Sequence, residues 1–128
     1  MARIIDSIPY VTAGEAEQAR AAAQKVVETH HRIAEWLRAG VTLPQIDQEI
    51  ARILGSLRCE SCFRHYKGHK PNGFPSFACL SVNDCVVHGT AASHAAPLKQ
   101  GDILKIDIGV WYRGWVGGRG DGTVANDG

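Results

Sequence analysis

Apolar residues recur at three- and four-residue spacing through the first half of the chain and at alternate positions near its end. That change of period predicts helices followed by strands. Ala16, Ala19, Ala23, Val26, His30, Ile33 and Leu37 share one helix face. Thr12-Ala13-Gly14-Glu15 has the spacing of a capping box, with the Thr12 hydroxyl free to accept from the Glu15 amide. Gly40 stands where a left-handed cap would end this helix. Thr42-Leu43-Pro44-Gln45 repeats the start signal, with Pro44 tolerated in the first turn. Ile46, Ile50, Ile53, Leu54 and Leu57 then mark a second, shorter amphipathic helix.

From Cys59 to Asn72 the pattern lapses, and Gly68, Pro71 and Gly73 predict a loop. Phe77 to Val82 and Cys85 to Val87 read as strands around a turn at Asn83-Asp84. Ile103 to Tyr112 alternates cleanly: Leu104, Ile106, Ile108 and Val110 point one way, and Lys105, Asp107 and Gly109 the other. Arg113-Gly114 breaks it, and Trp115-Val116-Gly117 begins a returning strand. Beyond Gly117 glycine dominates, which predicts irregular chain over 117–128. The order of elements gives an α+β fold, two helices followed by an antiparallel sheet.

At 128 residues the chain makes one domain at most, and its 45% apolar content suffices for a single core. A net charge of +1 gives no electrostatic case for a polyanion, hence no nucleic-acid signal. No apolar run approaches a membrane span, and residues 1–20 lack the pattern of a secretory signal. A cytoplasmic location is expected, with the four cysteines as reduced thiols.

Two residues invite chemistry. Asp107 lies within an apolar strand, where an ionised carboxylate faces solvent, pairs with a cation or binds a hard divalent ion. His88 lies where Val86-Val87 opens into Gly89, as a partly buried histidine satisfied by backbone or as a site residue. Spacing alone leaves these alternatives open. Cys59-x-x-Cys62 with His65 and His69 has the outline of half a zinc site, but no second tight pair closes it, and a loop with incidental thiols is the favoured reading.

The segments Asn72-Gly73-Phe74-Pro75, Leu80-Ser81-Val82-Asn83-Asp84, Val86-Val87-His88-Gly89, Leu98-Lys99-Gln100-Gly101-Asp102-Ile103 and Ile106-Asp107-Ile108-Gly109-Val110 together resemble the N-terminal half of a type I methionine aminopeptidase. Gly40-Val41-Thr42-Leu43 with Ile46-Asp47 resembles that family's helix junction. The resemblance implies the N-terminal half of a pita-bread fold, so that residues 1–128 form a single partial domain of a truncated chain. It implies Asp107 as a metal-bridging ligand, His88 as a catalytic residue contacting the substrate near the scissile bond, and Phe74 and Cys79 as walls of the methionine pocket. Two divalent ions (Co, Mn, Fe or Zn) are implied as cofactors for removing the initiator methionine. Nascent polypeptide N-termini are the implied partners, with the ribosome as a further candidate.

The chain departs from the family pattern at the second bridging aspartate. Gly114-Trp115-Val116-Gly117 fits the expected approach, but Gly118 occupies the ligand position, and the candidate second metal ligand becomes Asp121. A three-residue displacement turns Asp121 to the other sheet face unless a bulge restores it. The family's remaining ligands, a histidine and two glutamates, match nothing here. The 128 residues are therefore expected to be inactive alone. The alternative is a catalytically inactive pita-bread-like module that binds peptides or a protein partner.

Overall fold

The computed structural model describes residues 3–5 and 8–125. The order is β1 (Arg3–Ile5), β2 (Ile8–Tyr10), α1 (Ala13–Trp36), α2 (Leu43–Ser56), β3 (Glu60–Ser61), β4 (Cys79–Val82), β5 (Ile103–Tyr112) and β6 (Trp115–Val124). A short antiparallel pair, β1 with β2, precedes the expected two helices and the antiparallel sheet that follows them. No helix among the described residues is long and apolar enough to cross a membrane.

Both capping boxes form. The Thr12 amide donates to Glu15 Oε1 at 2.9 Å while the Glu15 amide donates to Thr12 Oγ1 at 3.2 Å. Thr42 and Gln45 repeat the exchange at 2.9 and 3.3 Å. Each box satisfies two otherwise unpaired amides of a first turn. α1 ends at Trp36 rather than running to Gly40, because the backbone ahead of α2 is taken elsewhere. The Gly40 amide donates to Leu98 O at 2.6 Å, and the Leu98 amide to Val41 O at 2.8 Å.

β5 is the central strand of an antiparallel sheet. β6 pairs along its whole length, from Ile103↔Val124 to Tyr112↔Trp115, while β4 and β3 share its other edge. The glycine-rich stretch expected to be irregular is therefore a strand through Val124; residues 126–128 lie outside the described residues. Hydrogen bonds to β5 and the cover of α1 hold it, in place of side-chain preference. At Gly117 the cover is so close that a Cβ would lie 2.7 Å from the Ala22 carbonyl oxygen of α1.

The even-numbered residues of β5 (Leu104, Ile106, Ile108 and Val110) are buried in one core with Val26 and Ile33 of α1 and Ile46, Ile50, Ile53 and Leu54 of α2. On α1 the buried face includes Ala22 and Thr29, a slight rotation from the expected stripe through Ala23, which is exposed. Two strand expectations are corrected. β4 starts at Cys79, not Phe77, because the Phe77 and Ala78 amides donate to the buried carboxylate of Asp47 on α2, at 2.9 and 3.2 Å. Cys85–Val87 forms no strand: Val86 and Val87 are exposed, and Asn83 and His88 have left-handed backbones, φ 53° and 60°. The expected loop from Cys59 to Asn72 does hold two strand residues, Glu60 and Ser61, paired to Trp111 and Val110.

Asp102 closes the turn before β5. Its buried carboxylate accepts from Lys99 Nζ at 2.8 Å, the Lys99 amide at 2.9 Å and Asn83 Nδ2 at 3.1 Å. The Lys99 ammonium first, then these amides, holds the Asp102 carboxyl well below the usual carboxylate range. In the unfolded chain an aspartate titrates near pH 3.9, roughly, so the stabilisation is complete above about pH 4 and is lost as pH falls toward the lowered folded value. Asp102→Asn is expected to unfold at lower urea at pH 7 and to lose less stability than the parent on acidification. Urea midpoints at neutral and acid pH check this; identical acid sensitivity in both proteins would count against it.

Candidate active site

The alternation of β5 sends Asp107 to the sheet face away from the helices, directly opposite Cys79 on β4 and Gly120 on β6. Asp107 is exposed, and among the described residues no hydrogen bond or ion pair engages its carboxylate. An acid held on a rigid central strand with its oxygens unused is available to a cation.

The connection from β3 to β4 curls over this face. Phe74 and His65 backbones pair (His65 amide to Phe74 O, 2.8 Å), and the Phe74 amide donates to Tyr66 O at 3.0 Å. These bonds stack Phe63 and His69 edge-on against Phe74, with ring centroids 6.2 and 5.2 Å away. Ser61 Oγ anchors the base of the loop by donating to Phe77 O at 2.7 Å and accepting from the Phe63 amide. On the far side, the segment after β4 returns through Gly89, whose amide donates to Ser81 Oγ at 3.0 Å. A Cβ at Gly89 would fall 2.1 Å from Leu80 O, so only glycine permits the approach that places His88 at the rim.

The result is a cavity of about 480 Å³ lined by Phe74, Cys79, His88 and Asp107, all four expected from sequence, together with aromatic and sulfur groups from the loop. Cys62, Phe63, Tyr66 and His69 were not assigned to it from sequence. Their signal was present as an aromatic- and thiol-rich loop, but its half-zinc outline pointed elsewhere. Cys59 and His65 line a different cavity from Cys62 and His69, so that outline does not close. Among the described residues no group of three or more His, Cys, Asp or Glu side chains is placed to hold a metal ion.

Asp121 and Asp107 border one smaller cavity of about 280 Å³ together with His88, but the Asp121 carboxylate is turned away from it. The β5–β6 ladder runs without a bulge, Asp121 pairs with Ile106, and its side chain therefore faces α1. There Asp121 Oδ2 lies 3.6 Å from Nδ1 of the buried His30 and 3.1 Å from Arg119 Nε, while His30 Nε2 is 2.9 Å from Arg119 O. Gly118 does share the open face, paired with Gly109. Its side-chain direction is clear: a Cβ there would meet only Ile108 O, at 3.7 Å.

Burial, and then the neighbouring Asp107 charge, push the Cys79 thiol up to about 11. Near neutral pH it stays protonated and acts as a small polarizable wall, inert as a nucleophile.

Residues 17–119 match metallopeptidase family M24. Methionine aminopeptidase 1 of Bacillus subtilis is 34% identical over 98 residues, 77% of this chain and 37% of that protein. Methionine aminopeptidase of Aquifex aeolicus is 30% identical over 115 residues, 89% of this chain and 44% of that protein. The crystal structure of methionine aminopeptidase from Rickettsia prowazekii superposes with a TM-score of 0.83 at 28% identity, over 99% of this chain and 46% of its own. The chain thus spans less than half the length of these relatives, and its helices and antiparallel sheet match one half of their pita-bread fold.

Asp107→Asn removes a negative charge beside Cys79 and is expected to lower the thiol's pKa. Alkylation of Cys79 by iodoacetamide, followed by peptide mass mapping against pH, should then shift to lower pH in the variant. An unmoved profile would show that the two groups are not electrostatically coupled.

Proposed function

The chain belongs to metallopeptidase family M24, and on that premise we propose that it forms the N-terminal half of a catalytic domain that removes the initiator methionine from nascent polypeptides. The observation that supports this reading is the convergence of Phe74, Cys79, His88 and Asp107 on one cavity. Its walls suit the substrate. An unbranched thioether is soft and adaptable, and it packs well against ring edges and a neutral thiol such as Phe63, Phe74 and Cys79. His88, exposed at the rim, is positioned to contact the peptide beside the scissile bond, and Asp107 to ligate a metal.

Divalent ions in this family supply an activated water and a polarised carbonyl. In the proposed domain they number two, drawn from Co, Mn, Fe or Zn. The described residues do not fit that pair by themselves, since among them Asp107 is the one carboxylate lining the cavity and the Asp121 carboxylate faces α1. A histidine and two glutamates of the family pattern would be supplied by a second half. Nascent N-termini in the cytoplasm, and with them the ribosome, are the proposed setting.

A second reading, a non-catalytic module of the same fold that binds peptides or a protein partner, is favoured by one observation: the inward turn of Asp121. Gly118→Asp separates the two. It places a second carboxylate diagonal to Asp107 on the open face, and each added charged oxygen ligand tightens binding of a hard cation, here by about tenfold. Calorimetric titration with Mn²⁺ is expected to show that gain, and Asp107→Asn in the same background is expected to abolish it. Without a second half, the 128-residue chain is expected to release no methionine from a Met-Ala-Ser peptide. With a relative's C-terminal half supplied, turnover by Gly118→Asp supports the peptidase reading, and continued silence despite tight Mn²⁺ binding supports the module.

A further inference from the structure

Arg58, Glu60, Trp111, Arg113 and Gly114 line a shallow cavity of about 370 Å³ at the far end of β5. It is four residues along the strand from Asp107, about 13 Å at strand rise. Phe63 and Cys62 lie between, over Gly109, where an added Cβ would meet them at 3.0 and 3.4 Å. This cavity is separate from the proposed active site and plays no part in the reading above.

Both arginines occupy backbone positions that ordinarily select glycine or asparagine. Arg58 follows α2 with φ 59°; its amide donates to Gly55 O at 3.1 Å, and the Cys59 amide to Leu54 O at 2.9 Å. That is the helix-ending motif whose left-handed residue is usually glycine. Arg113, φ 50°, and Gly114, φ 83°, are the two central residues of the β5–β6 hairpin, between the paired Tyr112 and Trp115. Such two-residue turns favour Asn-Gly or Asp-Gly. Local backbone preference therefore accounts for neither arginine, and the two border the same cavity.

Among the described residues neither guanidinium makes a hydrogen bond or ion pair; Arg113 rests against the Tyr112 ring at 5.1 Å, with Lys25 4.9 Å from the same ring. Trp111, which lines the same cavity, is 46% exposed, and Glu60 stands directly opposite it across the β3–β5 pairing. The chain's near-neutral total charge conceals this local excess.

We propose that this cavity binds a nucleobase with its adjacent phosphate. The exposed face of Trp111 stacks the base, the Arg58 and Arg113 forks take phosphate oxygens, and the Glu60 carboxylate accepts from an exocyclic amino group. Cytosine is thereby preferred over uracil, which presents no amino group. The same chemistry is carried by a free nucleotide or by single-stranded RNA.

The test is tryptophan quenching of the full chain by CMP, by a ten-residue oligocytidylate and by the matching oligouridylate, with inorganic phosphate as control. Saturable quenching is expected with cytidylate, at least fivefold tighter than with uridylate, and absent in Trp111→Phe. Arg58→Asn with Arg113→Asn suits both left-handed backbones, so circular dichroism should be unchanged while affinity falls at least tenfold. Glu60→Gln should erase the cytidine preference and leave phosphate-driven binding in place. If the strand binds far more tightly than CMP, with affinity falling steeply as salt rises, RNA is the source; equal affinities identify a free nucleotide. Quenching by phosphate alone, quenching that persists in Trp111→Phe, or undiminished binding by the folded double-Asn variant would each overturn the proposal.

Discussion

The unbroken pairing of β5 with β6 is the constraint from which the functional geography follows. Ten consecutive pairs without a bulge leave no freedom about which way any side chain points. Leu104, Ile106, Ile108 and Val110 enter the core, so Asp107 and Trp111 must face outward. The same rule sends Asp121 and Arg119 inward, where His30 on α1 meets them. One ladder thereby sets an unused carboxylate on the open face and a cross-linked one beneath the helix.

The cavity beside Asp107 depends on a second device. Asp47, buried on α2, takes the amides of Phe77 and Ala78 just before β4 begins. Burial raises this carboxyl, and the two amides work against that rise. Their geometry ties the helical layer to the strand that carries Cys79. Phe74 and the loop aromatics are then folded over the sheet by backbone bonds among residues 62–74 rather than by regular structure. The pocket's aromatic wall is thus built on a loop, while its charged group stands on the most rigid strand available.

What could be read in the sequence follows from how local each signal is. Thr12/Glu15 and Thr42/Gln45 announce their helices because a capping box closes within four residues. The alternation through Ile103–Tyr112 is likewise self-contained. β4's start was misplaced because its cause, Asp47, lies thirty residues upstream. Cys85–Val87 reads as a strand from its apolar residues alone, but among the described residues no partner strand adjoins it. At the site, Asp107 and His88 stand out from the pattern with their roles open, Phe74 and Cys79 come from the resemblance to a family, and the cavity collects all four. Cys62, Phe63, Tyr66 and His69 had no period to reveal them, since loop contacts such as those to Phe74 are fixed only after the chain has folded.

The outer face of β6 between its apolar ends is Gly118, Gly120 and Gly122, three positions whose added Cβ would meet nothing closer than 3.7 Å. With no side chains there, nothing on that face distinguishes one register from the next, and discrimination comes wholly from the inner residues. The strand consequently acts as a parity filter on changes of length. Inserting or deleting an even number of residues would return each group to its own side, merely displaced along the sheet. An odd change exchanges the two sides, and a carboxylate meant for solvent becomes a partner of a helix.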